Sequence, residues 1–335
     1  MKAYSLEEVG KLVYKEVDKP VAQDGWVIVQ VGACGICSSD IPRVFEKGTY
    51  HFPTIPGHEF SGRVVSVGRN VDEKWLGKKV SAFPLIPCKE CKSCKKQKYE
   101  LCENYDYIGS RRDGAFAEFV AVPAWNLIEI DEGVSYREAA MMEPLSVALH
   151  AAKKGQIRNT DRVAVVGTGM IGFAVAQWAK YLGAATVCVF GRTQEKEKIA
   201  SEMDIQYRYE KNNDKFDVVI EAVGTSSALT EAIELADAEA RIVLLGNPAG
   251  DMILPQNIYW KILRKQLSVT GSWNSSYLGD RISDWTEVRD ALKEKKINAS
   301  PLITHCYERE KLLEGMQMMY QHKENYCKVM TDWSI

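Results

Sequence analysis

The spacing of hydrophobic and polar positions changes along the chain and divides it into two kinds of structure. The first part consists of short apolar runs between Gly and Pro residues. The clearest runs are GWVIVQVG (25–32), GRVVSVG (62–68) and FAEFVAV (116–122). Short apolar runs bounded by turn residues predict strands, so this part is expected to be mainly β. Residues 1–20 predict two further short strands with a turn at Gly10.

A different pattern begins after residue 135. Segment 136–155 has a helical composition, which Pro144 is expected to interrupt. An apolar strand, a long helix and a second apolar strand then form one βαβ unit over 161–190. Further apolar strands are expected at 217–224, 240–246 and 266–272. Apolar strands that alternate with helices predict a buried parallel sheet. The C-terminal residues return to helix and strand, and we expect them to pack on the first domain.

Composition excludes several classes of protein. The chain has 335 residues, of which 46% are hydrophobic, and its 43 Lys and Arg nearly balance its 45 Asp and Glu. This balance gives no general attraction to nucleic acid or to an anionic membrane. The sequence contains no membrane-spanning run and no signal peptide, so we expect a cytoplasmic protein. In a reducing compartment the nine cysteines would not form disulfides, and clustered cysteines indicate metal.

A glycine motif indicates a dinucleotide site. Gly167, Gly169 and Gly172 form G-T-G-M-I-G directly after an apolar strand and before a helix. A lone motif of this kind is weak, but its place between strand and helix is typical of a nucleotide site. The three glycines permit a tight turn, close approach of a pyrophosphate and close packing of helix on strand. Backbone N–H groups at the start of the helix, at Met170 and Ile171, are expected to face the phosphates.

The end of the second βαβ strand bears on the choice of cofactor. Sites that bind NAD carry an acidic residue about 20 residues beyond the last glycine, where it holds the ribose 2′-hydroxyl. Here that position is Gly191, and Arg192 and Thr193 follow, with Lys196 one turn later. These residues would attract a 2′-phosphate, which a carboxylate would repel, so the sequence predicts NADP rather than NAD. The alternative is an ordinary solvated loop with NAD as the cofactor.

Four cysteines have the spacing of a metal site. Cys88, Cys91, Cys94 and Cys102 follow the pattern C-x2-C-x2-C-x7-C. Four thiolates so close in sequence suit a closed, tetrahedral structural zinc site. Lysines between the cysteines are expected to lower the thiol pKa values. An iron–sulfur cluster and chance are the alternatives. A zinc knuckle that reads RNA would look similar but would not account for the dinucleotide motif.

A second set of metal-binding residue types lies in the N-terminal part. Cys37 occurs in ACGICSSD, and His58 and Glu59 occur in PGHEFSG. A thiolate, an imidazole and a carboxylate leave the fourth position of a tetrahedral zinc open, as a catalytic zinc requires. Each residue alone is unspecific, because a single His between glycine-rich strands is more often structural.

These motifs together resemble the zinc-dependent medium-chain dehydrogenase family. They occur in the family's order and cover nearly the whole chain: Cys37, GHE (57–59), the four cysteines, DGAFAEF (113–119), EPLSVALH (143–150) and the glycine motif. EPLSVALH resembles the polyol dehydrogenase branch, which includes the sorbitol dehydrogenases. Three segments resemble the galactitol-1-phosphate 5-dehydrogenases of that branch: 39–48, 105–119 and 261–273.

The resemblance implies an α/β protein of two domains with the active site between them. Residues 1–145 and 275–335 are expected to form a GroES-like, mainly β catalytic domain that carries a zinc lobe at 88–102. Residues 146–274 are expected to form a Rossmann domain with a doubly wound parallel sheet. Family members are homodimers or homotetramers, so a homo-oligomer is expected.

The resemblance also implies roles for single residues. It assigns the catalytic zinc to Cys37, His58 and Glu143, with Glu59 as a transient or alternative ligand. The residue before a proline resists the α conformation, so a kink at Glu143 would free its side chain. Ser39 matches the hydroxyl that passes the alcohol proton toward the cofactor ribose. Many members have a His where this chain has Pro42, so we expect a different proton exit.

The function implied is hydride transfer between NADP(H) and a secondary alcohol, with zinc as the Lewis acid. A polyol or sugar phosphate as substrate needs cations, and Arg43, Arg111 and Arg112 are the candidates. The alternatives are an NAD-linked, sorbitol-type enzyme of free polyols and a pentitol- or ketopentose-phosphate dehydrogenase. A non-catalytic dinucleotide-binding protein of the same fold is the alternative from another class. Divalent metals other than zinc also remain possible at the catalytic site.

Overall fold

The computed structural model describes residues 1–209 and 213–334, which form two compact units. The first unit contains Met1–Pro144, Ser276–Glu294 and the residues from Ile303 on, and the second contains Leu145–Ser275 and Lys295–Leu302. The sequence-based bounds differ from this at the single residues Leu145 and Ser275 and at 295–302, all of which they give to the first domain. Residues 295–302 belong to the second unit because Asn298 exchanges two hydrogen bonds with Gln177, of 3.0 and 2.9 Å.

The strands, in chain order, are β1 (Lys2–Glu8), β2 (Lys11–Glu16), β3 (Trp26–Ile36), β4 (Glu59–Val67), β5 (Lys79–Ala82), β6 (Leu85–Ile86), β7 (Asp106–Tyr107), β8 (Phe119–Pro123), β9 (Leu127–Glu129), β10 (Arg162–Val166), β11 (Thr186–Phe190), β12 (Gln206–Arg208), β13 (Phe216–Glu221), β14 (Ala236–Leu244), β15 (Ser268–Gly271), β16 (Ile303–Glu308) and β17 (Lys328–Asp332).

The helices are α1 (Asp40–Pro42), α2 (Lys92–Lys95), α3 (Tyr136–Ala140), α4 (Met142–Lys154), α5 (Met170–Tyr181), α6 (Glu197–Glu202), α7 (Ser226–Leu235), α8 (Gln256–Arg264), α9 (Asp284–Lys293) and α10 (Leu312–Tyr320). In the described ranges none of them is long and apolar enough to cross a bilayer.

The first unit is mainly β, as predicted. Its largest sheet has the order β16-β17-β3-β4-β5-β9, with β8 also paired to β3. The C-terminal part folds back as expected, because β17 pairs antiparallel with β3 and brings Thr331 opposite Cys34. Leu312, Met316 and Trp333 are buried in the same core as the valines of β3. The predicted N-terminal hairpin is present as β1 and β2, with Gly10 at a φ of 81°.

The second unit contains the predicted parallel sheet. Its six strands have the order β12-β11-β10-β13-β14-β15, and every neighbouring pair is parallel. The central strands are apolar and buried, as a sheet covered on both faces requires. At one edge, all four residues of β15 are exposed. The sheet is thus fully covered at its centre and open along β15.

The position of Pro144 differs from the prediction. The helical segment breaks at Met141, between α3 and α4, and Pro144 lies in the first turn of α4. A proline is tolerated there because the first N–H groups of a helix have no partner within the helix. The chain therefore bends before Glu143, and Glu143 lies in the first turn of the new helix.

Candidate active site

The four cysteines between β6 and β7 surround one point. Their Sγ atoms all lie within 4.8 Å of one another. Cys88 Sγ is 3.5 Å from Cys102 Sγ and 4.0 Å from Cys94 Sγ. Sulfur atoms at the corners of a zinc tetrahedron are separated by about 3.8 Å, given a Zn–S bond of roughly 2.3 Å. None of the four is in a disulfide, so the set fits a structural zinc ion.

Backbone N–H groups favour the thiolate form of Cys88 and Cys91, whereas burial raises the pKa of Cys94 and of Cys102. Cys91 N donates to Cys88 Sγ at 3.4 Å, and Cys88 N donates to Cys102 Sγ at 3.3 Å. Backbone donors lower the pKa of Cys91 to about 6. The neighbouring lysines, which the sequence analysis expected to lower the thiol pKa values, are not among the main causes of the lowered pKa of Cys91. Lys89, for example, lies over the Trp125 ring at 4.6 Å.

The second predicted metal cluster also comes together. Cys37 follows β3, and His58 and Glu59 lie at the start of the neighbouring strand β4. Because β3 and β4 pair antiparallel, with Gly35 opposite Glu59, residues 21 positions apart in sequence become adjacent in space. The three ligand atoms lie within 4.8 Å of one another, and His58 and Glu59 are buried. A thiol, an imidazole and a carboxylate are a donor set that suits zinc.

Asp40 orients this cluster, and the sequence analysis did not identify it. The Asp40 carboxylate is fully buried. It lies 3.5 Å from His58 Nδ1, accepts a hydrogen bond of 3.1 Å from Cys37 N and forms an ion pair of 2.8 Å with Arg43. Nδ1 of His58 thus faces a carboxylate, and Nε2 is left as the ligand atom. Carboxylates of this kind fix the orientation of a metal-binding imidazole.

Glu143 lies beside this cluster but is not part of the grouping within 4.8 Å. Its carboxylate is buried in the first turn of α4, and Tyr107 Oη donates to its Oε1 at 3.5 Å. The Tyr107 ring stands edge-on to His58, with 5.6 Å between ring centroids. Burial raises the pKa of Glu143 to about 7. Of the two carboxylates predicted to bind the metal, Glu59 and not Glu143 is within the 4.8 Å grouping with Cys37 and His58.

Ser39 and Pro42 lie where the chain leaves Cys37. Ser39 Oγ donates to Cys37 Sγ at 3.2 Å, so the hydroxyl stands beside the thiolate. Pro42 ends helix α1 and provides no titratable group there. The role of Ser39 in proton transfer stays a prediction.

The three arginines predicted to bind phosphate have different surroundings. Arg43 is paired with the buried Asp40. Arg112 forms an ion pair with Asp106, and its guanidinium lies over the Trp26 ring at 4.9 Å. Arg43 and Arg112 are thus each paired with a carboxylate.

Arg111 is placed differently from the other two. Its guanidinium carbon lies 4.2 Å from the centroid of Tyr50 and 4.5 Å from that of Tyr105. No residue within 1–209 or 213–334 forms an ion pair with it. Its Nε is buried and has no hydrogen-bond partner among these residues.

The glycine motif has the geometry of a nucleotide loop. Gly167, at the end of β10, has a φ of 119°, in the region that favours glycine. A Cβ on Gly172 would stand 2.1 Å from Gly167 O, so no larger residue fits where α5 meets the strand. A Cβ on Gly169 would meet nothing within 4 Å. Gly169 therefore leaves open space before Met170 and Ile171, which begin α5, and a pyrophosphate fits there.

The residues predicted to bind a 2′-phosphate adjoin this loop. Arg192 and Thr193 are exposed directly after β11 and Gly191. Lys196 Nζ donates to Thr168 O, within the glycine motif, at 3.0 Å. The structure thus brings the end of β11 and the glycine motif together. The preference for NADP stays a prediction.

Three residues near the metal clusters were missed for different reasons. Asp40 is three residues beyond Cys37, so its spacing was a usable signal. Tyr107 lies within a segment already used for the family resemblance. Lys328, whose Nζ contacts Glu59, comes from the C-terminal strand β17, and no local pattern connects it to the GHE segment.

Comparison with known proteins agrees with this geometry. Residues 23–132 match the family described as alcohol dehydrogenase GroES-like domain, and residues 171–294 match the family described as zinc-binding dehydrogenase. The chain is 34% identical to galactitol 1-phosphate 5-dehydrogenase of Escherichia coli (strain K12) over 83% of this chain and 84% of the relative. It is 31% identical to sorbitol dehydrogenase of Halalkalibacterium halodurans over 89% of both chains.

The fold is also that of a solved relative. A crystal structure of galactitol-1-phosphate dehydrogenase from Escherichia coli superposes with a TM-score of 0.91 at 31% identity, and the match covers 99% of this chain and 100% of that one. Sequence identity above 30% over most of the chain, both family matches and the superposition agree with one another. The chain belongs to the zinc-dependent medium-chain dehydrogenases, in their polyol dehydrogenase branch.

Proposed function

We propose that this protein is a zinc-dependent dehydrogenase that transfers a hydride between NADP(H) and a secondary alcohol of a polyol phosphate. The observation that carries the proposal is the grouping of Cys37 with the buried His58 and Glu59, with Asp40 behind the imidazole. This is the donor set of a catalytic zinc, and the second unit supplies a separate dinucleotide loop.

Different residues of the first unit would bind the metal, accept the proton and orient the ligands. Cys37 and His58 would hold the metal together with a carboxylate from Glu59 or Glu143. Bound zinc supplies Lewis acidity that lowers the pKa of the substrate hydroxyl, and the bound nicotinamide accepts the hydride. Ser39, whose Oγ lies 3.2 Å from Cys37 Sγ, would receive the hydroxyl proton. Asp40 fixes the imidazole ring and so keeps the ligands in position for each turnover.

Two observations support a phosphorylated substrate. The first is 34% identity to a relative named galactitol 1-phosphate 5-dehydrogenase. The second is Arg111, whose cationic group has no acidic partner in the described residues. The similarity to a sorbitol dehydrogenase keeps an NAD-linked enzyme of free polyols as the second candidate.

We further propose that the chain is a cytoplasmic homo-oligomer, a dimer or a tetramer. The support is the exposed edge strand β15, together with the exposed apolar residues Val269 and Trp273. An open, apolar sheet edge favours pairing with a second chain.

Initial rates with a substrate panel test the proposed function. Each pentitol and hexitol is assayed beside its phosphate, with NADP and with NAD, on the zinc-loaded protein. We expect turnover of the phosphorylated polyols with NADP. Rates confined to free polyols would favour the sorbitol-type alternative, and rates on no alcohol with either nucleotide would favour a non-catalytic protein.

A further inference from the structure

We infer that Tyr50, Arg111 and Tyr105 form an anion anchor that recognises the phosphate of the substrate, with Arg111 as the residue that binds it. The inference rests on the proposed function and narrows it to one of the three candidate arginines. It also gives Tyr50 and Tyr105 a role in positioning.

The contacts of Arg111 leave only one part of its side chain available. Tyr50 and Tyr105 lie 4.2 and 4.5 Å from the guanidinium carbon. Rings at this distance attract the guanidinium by cation–π attraction, and the two tyrosine hydroxyls also act on it as hydrogen-bond acceptors. Nε has no hydrogen-bond partner in the described residues, so its N–H is left for a ligand. Guanidinium N–H groups match the oxygen atoms of a phosphate.

Arg111 has one buried hydrogen-bond donor without a partner in the described residues. Buried polar atoms in folded proteins nearly always have a hydrogen-bond partner, so an exception needs an explanation. Nε of Arg111 is buried and has no partner in the described residues. Neither tyrosine ring balances the positive charge, and the carboxylates of Asp40 and Asp106 are taken by Arg43 and Arg112. An oxyanion of the substrate would supply both the charge and the acceptor.

A series of aromatic contacts connects this anchor to the metal cluster within the first unit. The rings of Tyr105 and Tyr107 are 6.2 Å apart, and Tyr107 and His58 are 5.6 Å apart. Arg111 is thus separated from the imidazole of the metal cluster by two tyrosine rings. A substrate with its alcohol at the metal cluster would have to extend past both rings to place its phosphate near Arg111.

Substitution of neighbouring arginines tests the anchor. The quantity measured is the ratio of kcat/KM for a hexitol phosphate to that for the same hexitol without phosphate. In Arg111→Gln this ratio should fall by about 10- to 100-fold, as expected for loss of a charged hydrogen bond. The ratio for Arg111→Lys should lie between those of the wild type and Arg111→Gln, because lysine keeps the charge but not the planar guanidinium fork. The matched control Arg112→Gln should keep the ratio within about twofold.

Inorganic phosphate provides a second measurement that does not depend on turnover. It should bind the wild-type holoenzyme, and Arg111→Gln should weaken that binding by the same factor. Tyr50→Leu removes one exposed ring of the stack and should raise KM for the hexitol phosphate while kcat is kept. An equal loss for both substrates in Arg111→Gln would overturn the anchor.

The two proposals can fail separately. If the wild type oxidises no polyol phosphate, the proposed function fails. The anchor is still tested, because the affinity for inorganic phosphate can be compared between the wild type and Arg111→Gln. If the hexitol phosphate is preferred but Arg112→Gln, not Arg111→Gln, removes the preference, the proposed function stands and the anchor is wrong.

Discussion

Lys328 Nζ lies 2.5 Å from Glu59 Oε2, and both side chains are buried. Burial alone would lower the pKa of Lys328, but the Glu59 carboxylate raises it to about 12. The ion pair joins the C-terminal strand β17 to the start of β4. It also occupies an oxygen of the carboxylate that is grouped with Cys37 and His58, so Glu59 is shared between a lysine and the metal cluster.

Removal of one partner of this ion pair should lower the free energy of unfolding substantially. Lys328→Met leaves a buried carboxylate without its cation and should lower the free energy of unfolding by about 3–5 kcal/mol. The double variant Glu59→Gln with Lys328→Met removes both charges and should recover a large part of the loss. Urea unfolding of the zinc-loaded proteins measures both. A double variant as unstable as the single one would show that the charges are not coupled.

Loss of the carboxylate behind His58 should weaken one zinc site and spare the other. Asp40→Asn keeps the size of the side chain but removes its charge, and changes of this kind reduce metal affinity by about 10- to 100-fold. Zinc retained after dialysis against increasing chelator should therefore show one ion released earlier than in the wild type. The ion at Cys88, Cys91, Cys94 and Cys102 is the internal control. Unchanged release of both ions would contradict the role of Asp40.

The four-cysteine cluster should be required for stability. Cys102→Ser removes one of four ligands, so we expect loss of one zinc ion per chain and a lower unfolding temperature. Zinc content and thermal unfolding measure this directly. Cys306 is exposed and outside both clusters, so Cys306→Ser is the control with unchanged zinc content. A Cys102→Ser protein that keeps two zinc ions would refute the assignment.

Arg192 should determine the choice of nucleotide. Arg192→Ala should lower the ratio of kcat/KM for NADPH to that for NADH by about 10- to 100-fold, because a charged contact to the 2′-phosphate is lost. Arg264, which lies over the Trp260 ring of α8, offers a control of the same residue type. A wild-type KM for NADH equal to or below that for NADPH would show that the predicted preference is wrong.

The open edge of the second unit's sheet should control assembly. Val269 in β15 is 43% exposed, and Val269→Lys places a charge on this edge, which opposes strand pairing. Light scattering should then give a lower molar mass than for the wild type. Ile282, an exposed apolar residue of the first unit, serves as the control in Ile282→Lys. An unchanged mass for Val269→Lys would exclude this edge from the interface.

The parts that could be predicted are those in which the signal is local. Alternation of apolar and polar residues located most strands, and the glycine motif located the start of α5. The cysteines near Cys88 formed a predictable cluster because all four occur within 15 residues. Short sequence separation keeps such residues close in any compact fold.

The parts that could not be predicted depend on contacts between distant segments. Lys328 meets Glu59 across 269 residues, and no pattern near either residue indicates the pairing. The three arginines look equivalent in sequence, but their surroundings differ because Asp40 and Asp106 pair with two of them. The break before Glu143 was placed too late because Pro144 fits inside the first turn of a helix, where its missing N–H has no consequence.

The pairing of β17 with β3 sets the order in which a nascent chain can be completed. All six strands of the parallel sheet lie between Arg162 and Gly271, so the ribosome can release that unit to fold while translation continues. The N-terminal unit, although made first, lacks β16, β17 and the cation for Glu59 until Lys328 has been synthesised. The metal cluster therefore lacks the partner of Glu59 until the nucleotide-binding unit has been translated, and the edge of β3 that pairs with β17 is open until then.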